Sequence, residues 1–166
     1  KTYGNIGIML LFKDITNLQE LNRIKTERLN AISEVNNNQR PLLPGVICFL
    51  NKLKVSGVKC ALITNDNAKG VDNFIQFNDL EDKFSGYWSC DDQPAKPSPD
   101  SVKKLCETLQ LNPSECVLIG DSDLDMQMAK KARIGLAIGY VSGWNIKPKL
   151  SHQNKIIFNW DDISCL

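Results

Sequence analysis

Thr64 and Asp121 each stand where an apolar run gives way to polar residues, and Lys96 lies between them in Ala95-Lys96-Pro97-Ser98-Pro99-Asp100. Asp121 follows Val117-Leu118-Ile119-Gly120 and opens Asp121-Ser122-Asp123-Leu124-Asp125, with aspartates on alternate positions. Carboxylates gathered at the carboxyl end of a buried strand suit a cation. Hard oxygen ligands in such a turn suit Mg²⁺, with phosphate as the metal's other partner. A hydroxyl and backbone N–H groups can bond phosphoryl oxygens while a lysine offsets their charge, so the three residue types together describe a phosphate site. Each also has a plainer reading. Thr64 can be a turn hydroxyl, Lys96 a solvated loop lysine, Asp121 and Asp125 helix caps, and Asp123 a charge at a helix start.

These residues must be positioned by strands and helices in alternation. Ile6 to Phe12 is almost wholly apolar and reads as a strand buried on both faces. Asn17 to about Val35 carries apolar residues at helical spacing, and a polar linker runs on to Pro41. Pro44 opens a helix that Gly57 stops, followed by a strand over Val58 to Ile63. The pattern continues with a helix over Ala68 to Phe77, a short strand over Gly86 to Ser89, and a helix capped by Ser98 with Pro99 in its first turn. Strands over Cys116 to Ile119, Ile134 to Ile138 and Lys155 to Phe158 complete it, with a helix at Met126 to Lys131 after the aspartates. Such alternation requires crossovers, which predicts one doubly wound α/β domain over residues 1–166 with a mostly parallel sheet.

At 166 residues the chain can bury a substantial core without staples. Twenty basic against nineteen acidic residues argue against a global pull toward nucleic acid or an anionic membrane. No apolar run approaches the roughly 20 residues of a membrane span, and the first residues do not have the shape of a signal peptide, so a cytoplasmic protein is expected. The six cysteines form no short metal-binding pair. Cys48, Cys60, Cys106 and Cys116 read as small buried hydrophobes. Cys90 sits beside Asp91 and Asp92, which should raise its thiol pKa.

Leu62-Ile63-Thr64-Asn65, Lys96-Pro97-Ser98-Pro99-Asp100, and Ile119-Gly120-Asp121-Ser122-Asp123-Leu124-Asp125 with Ala129 resemble, in order, the second, third and fourth motifs of the haloacid dehalogenase superfamily. Each is weak alone, but a motif gains weight from its strand-and-turn context, and all three have it. Pro44-Gly45-Val46 and the Gly143-Trp144 loop are similar to the phosphoglycolate phosphatase and β-phosphoglucomutase branch. The resemblance implies a Rossmann-like fold and a Mg²⁺-dependent phosphatase acting on a small phosphorylated metabolite through an aspartyl-phosphate. It assigns Asp121 to the metal with Asp125 in support, Thr64 and Asn65 to phosphoryl oxygens, and Lys96 to the nucleophile and transition state. Tyr140 to Trp144 could line the substrate opening or form a packed aromatic loop.

The first motif departs from the pattern. The family's nucleophile belongs to a run of the form Asp-x-Asp-Gly-Thr, whereas this chain has Phe12-Lys13-Asp14-Ile15-Thr16-Asn17-Leu18. Asp14 then takes the place of the nucleophile and of a metal ligand, and Thr16 that of the general acid and base. Threonine exchanges protons poorly near neutral pH, and that step contributes roughly 10²- to 10⁴-fold. The phosphorylating ATPases that resemble the superfamily carry threonine at that place and keep their aspartyl-phosphate. A gap-free register would instead put Lys13 and Ile15 on the two carboxylate positions and leave the enzyme dead. A catalytically impaired relative that binds phosphate or protein is therefore the alternative.

Residues 17–41 are too few for the helical cap of many relatives, which implies a minimal cap and an open cleft that a second subunit of a homo-oligomer could cover. Gly7 to Ser33 also resembles the end of a PAS sensor domain running into a histidine-kinase dimerisation helix. Glu34 stands where the phospho-accepting histidine should be, which does not support a kinase.

Overall fold

The computed structural model describes residues 7–10, 42–142 and 148–163, with 7–10 as backbone. Asp14, Thr16, the expected helix from Asn17, the reduced cap over 17–41 and the Gly143-Trp144 loop lie outside the described residues. Strands β1 (Gly7–Leu10), β2 (Lys59–Ile63), β3 (Gly86–Trp88), β4 (Cys116–Gly120), β5 (Leu136–Tyr140) and β6 (Lys155–Ile157) form one sheet in the order β3-β2-β1-β4-β5-β6. Every pairing is parallel. Helices α1 (Val46–Val55), α2 (Ala68–Phe77), α3 (Asp100–Leu109) and α4 (Asp123–Ala132) provide the crossovers.

Alternation along the strands splits the interior into two cores, because successive side chains leave opposite faces of a sheet. Cys60, Val117, Ile119, Ile138 and Ile157 pack with Val46, Phe49, Leu50 and Leu53 of α1 on one face. Ala61, Ile63, Cys116, Leu118 and Ala137 pack with α3 and α4 on the other. The fold is thus the doubly wound α/β sheet expected from the sequence. No helix among the described residues is long and apolar enough to cross a membrane.

Element ends differ from the sequence reading where backbone groups are claimed by caps. Gly45 takes the left-handed conformation (φ 85°), so α1 starts at Val46 rather than Pro44. Val58 N–H bonds Leu53 O at 3.0 Å, closing α1 rather than opening β2. Strand β5 starts two residues late for the same reason. Arg133 is left-handed (φ 58°), Ile134 N–H returns to Ala129 O at 3.0 Å and Gly135 N–H goes to Pro113 O at 3.1 Å, which spends both residues in the turn. At the start of α3, Ser98 Oγ accepts Asp100 N–H at 3.3 Å while Pro99 is already helical.

Cys60, Cys106 and Cys116 are buried, and burial pushes the Cys60 thiol up to about 12. Cys48 is exposed, against expectation. Val46, Phe49, Leu50 and Leu53 form the buried stripe of α1, and position 48 falls outside that spacing. The Cys90 thiol is raised first by partial burial and then by Asp91.

The chain after β5 is clasped to α4. Asp123 Oδ1 accepts Ser151 N–H at 2.6 Å and the Ser151 hydroxyl, and Oδ2 accepts Gln127 Nε2 at 2.8 Å. These bonds, led by the Ser151 hydroxyl, hold the Asp123 carboxyl below its ordinary range. The stabilisation is therefore complete above the ordinary value of about 3.9 and is lost as pH falls through the lowered folded value.

Two outcomes test this architecture. Leu118, fully buried in central strand β4, should on Leu118→Ala lower the unfolding free energy by about 2–5 kcal/mol in urea titration. Asp123→Asn should be less stable than wild type at about pH 7, with the gap closing toward about pH 2. A gap constant across that range would contradict the clasp.

Candidate active site

The strand order places the site. Leu10 pairs with Leu62 of β2 and with Ile119 of β4, so the carboxyl end of β1 opens between the ends of those two strands. Consecutive crossovers leave in opposite directions from this point of the sheet, and the resulting crevice is where ligands bind in open α/β folds.

Thr64 follows β2 and is held on both sides. Its N–H bonds Trp88 O at 2.9 Å, and its Oγ1 accepts Asp66 N–H at 3.0 Å. The hydroxyl is thus the turn-former of the plainer reading, and its O–H and second lone pair are left for a further partner. Asn65 is half-buried beside it. Asp66 lies over α2, where a Cβ on Gly70 would come within 2.8 Å of its Oδ1. That helix starts under Asn67, whose side chain accepts Gly70 N–H at 2.7 Å.

Across β1, the aspartates separate into three roles. The helix α4 starts at Asp123 and not at Met126, so only Asp121 and Ser122 remain in the turn. The cause is a capping box. Ser122 Oγ accepts Asp125 N–H at 3.4 Å, and Asp125 Oδ2 accepts Ser122 N–H at 3.0 Å and the Ser122 hydroxyl at 2.7 Å. Asp125 Oδ1 accepts Lys96 Nζ at 3.0 Å, with both side chains 1% exposed. Gly120 makes room for this, since a Cβ there would lie 2.5 Å from Asp125 Cβ. Asp125 is therefore a helix cap and the counter-ion of Lys96 at once. Lys96 is not a solvated loop residue.

Thr64, Lys96, Asp121 and Asp125 are 5%, 7%, 7% and 0% exposed, an unusual degree of burial for these residue types. The structure brings Lys96 and Asp125 into contact and sets Thr64 and Asp121 at the ends of strands flanking β1. The donor chemistry fits Mg²⁺. Asp121 presents a buried hard carboxylate in the turn. Magnesium is usually held by one or two carboxylates with waters and substrate phosphate, not by an all-protein cage.

Sequence reasoning missed Ser122 and Ser151. The Ser122-x-x-Asp125 spacing is a capping-box signature and could have revealed the first. Ser151 gave no local signal, because its partner Asp123 is remote in sequence. Tyr140 does not line an opening. It is buried, with its ring stacked on Trp160 at 4.7 Å between centroids.

Comparison with known proteins agrees with this geometry. The family model for haloacid dehalogenase-like hydrolases matches residues 3–138. The match begins ahead of β1 and so takes in the segment that resembles a kinase linker. A phosphoglycolate phosphatase of Psychrobacter arcticus is 36% identical over 122 residues, covering 71% of this chain and 53% of that protein. The phosphoglycolate phosphatase of Escherichia coli K12 is 33% identical over 106 residues, covering 61% of this chain and 42% of that protein. The chain thus spans about half the length of the curated relatives it matches. Among solved structures, a haloacid dehalogenase-superfamily hydrolase of subfamily IA from Geobacter sulfurreducens superposes with TM-score 0.72 at 14% identity, covering 97% of this chain and 98% of that one. CbbY of Rhodobacter sphaeroides, solved in complex with phosphate, superposes with TM-score 0.68 at 20% identity, covering 92% of this chain and 68% of that one. The chain belongs to the haloacid dehalogenase-like hydrolase family, and the curated relatives it resembles there are phosphoglycolate phosphatases.

Proposed function

We propose that this protein is a Mg²⁺-dependent phosphatase that hydrolyses a small phosphate monoester through an aspartyl-phosphate. The observation that carries the reading is the buried Lys96–Asp125 ion pair, which fixes a lysine beside the Asp121 turn and across β1 from Thr64. Asp14, in the sequence just beyond Leu10, is the nucleophile. Its carboxylate attacks phosphorus, the phosphorus–oxygen bond to the leaving group breaks and the leaving oxygen takes a proton from solvent water. A second water then attacks phosphorus, the bond to Asp14 breaks, and inorganic phosphate and the free carboxylate are released. Thr64 and Asn65 bond the phosphoryl oxygens, and Lys96 offsets charge on the nucleophile and the transition state. Asp121 and Asp14 hold the metal, with Asp125 in support through Lys96 and the turn. The metal supplies charge neutralisation at the phosphoryl oxygens.

Thr16 favours a second reading, an impaired relative that forms or binds a phosphoryl species and releases it slowly. Threonine does not serve as the base for the water that hydrolyses the acyl phosphate. Residues 17–41 fit a short linker rather than a cap domain, so a small substrate would be selected mainly by the strand-end loops or by a second copy of the chain.

Hydrolysis of p-nitrophenyl phosphate decides between these readings. Wild type should turn over with Mg²⁺ and stop on chelation, and Asp14→Asn or Asp121→Asn should each reduce the rate roughly hundredfold or more. Absence of Mg²⁺-dependent turnover would remove the enzyme reading. Thr16→Asp should raise steady-state turnover by about 10²-fold if dephosphorylation is limiting. Gly120→Ala should lower activity by displacing Asp125, and circular dichroism would show whether the fold survives.

A further inference from the structure

A second concave surface lies away from Thr64, Lys96 and Asp121, between the carboxyl-terminal half of α4 and the segment leading into β6. It is an open depression of about 310 Å³ with half-buried Ile134 as its apolar wall, Ala129 and Ala137 buried beneath, and a polar rim of Lys130, Arg133, His152 and Asn154. The rim presents donors. Asn154 Oδ1 is taken by Ala137 N–H at 2.7 Å, and Asn154 N–H returns to Ala137 O at 2.8 Å, so the side chain is locked with its NH₂ as the group it offers.

Lys130 Nζ lies 3.3 Å from His152 Nδ1. An ammonium only donates, so Nδ1 accepts and the hydrogen-bond pattern assigns the ring proton to Nε2. Arg133 adds a planar fork of donors suited to oxyanions. No carboxylate lines the cleft among the described residues. Asp123 of α4 has its two oxygens occupied by Ser151 and Gln127.

The segment that carries the rim is fastened on both sides of a left-handed turn at His152 (φ 66°), by Ser151 on Asp123 and by Asn154 on Ala137.

We propose that this cleft binds a small organic oxyanion of the phosphate-monoester or phosphonate class, with its charged head on Lys130, Arg133 and Asn154 and its apolar group against Ile134. The site is separate from the strand-end crevice and takes no part in phosphoryl transfer.

The test is an amide-resolved NMR titration of the full chain with phenylphosphonate, whose carbon–phosphorus bond is not a substrate for ester hydrolysis. Saturable shifts are expected at Lys130–Ala137 and Ser151–Asn154. Lys130→Ala combined with Arg133→Ala should weaken that binding roughly tenfold or more, since both side chains are exposed and supply charge-assisted donors. The rest of the amide spectrum reports whether the double variant keeps its fold. Thr64→Val should leave the cleft titration unchanged while reducing any shifts near Thr64. Shifts confined to the neighbourhood of Thr64, Lys96 and Asp121, no saturation at the cleft, or unchanged affinity in the double variant would each overturn the site. None of these results bears on the phosphatase reading, which turnover measures.

Discussion

The Lys96–Asp125 ion pair joins a loop with little regular structure to the first turn of α4, and the geometry around the β1 crevice depends on it. Removing two charges from water costs several kcal/mol per ion, and attraction alone offsets this only when the remaining polar atoms are also satisfied. Asp125 meets that condition. One oxygen takes the lysine and the other takes the N–H and hydroxyl of Ser122. The arrangement also needs Gly120, because no larger residue leaves space for the Asp125 side chain under the strand end. A bond that contributes little net stability can in this way fix where a buried cation sits.

The sheet order supplies the other half of the constraint. With β1 between β2 and β4, the residues that follow β1 must emerge between the Thr64 and Asp121 ends. Each of those ends is sealed by its own cap. Asn67 and Asp91 accept backbone N–H groups at the start of α2, and Ser122 and Asp125 do so at α4. Carboxylates near a helix N-terminus are stabilised by the partial positive charge there, which lowers the cost of collecting acidic side chains at these strand ends.

How far the fold could be read from the sequence depended on which force set each feature. The strand cores were legible, because Val117 to Ile119 and Cys60 to Ile63 are unbroken apolar runs that only a strand covered on both faces can bury. Their ends were not. Ile134 and Gly135 look like the start of β5 by composition, but the left-handed Arg133 commits their N–H groups to turns. Cys48 was misread for a related reason, since helix membership alone does not say which face a residue occupies. In the site, the residue types of Thr64, Lys96 and Asp121 carried their own signal. The contact between Lys96 and Asp125 did not, being a tertiary pairing between a loop and a helix.

The three alternate aspartates show why residue type and spacing stop short of assigning roles. Asp121, Asp123 and Asp125 have the same charge and nearly the same neighbours in sequence, yet their partners differ. Asp125 turns inward to a lysine and a cap, Asp123 turns outward to Ser151 and Gln127, and Asp121 alone stays in the turn between strand and helix. An alternation that suggested several equivalent carboxylates thus resolves into one in the strand-to-helix turn, one counter-ion of a buried lysine and one structural clasp. The clasp also bears on the turn. Asp123 opens α4 two residues after Asp121, so the Ser151 bonds that anchor it fasten the start of the helix directly behind the turn that carries Asp121.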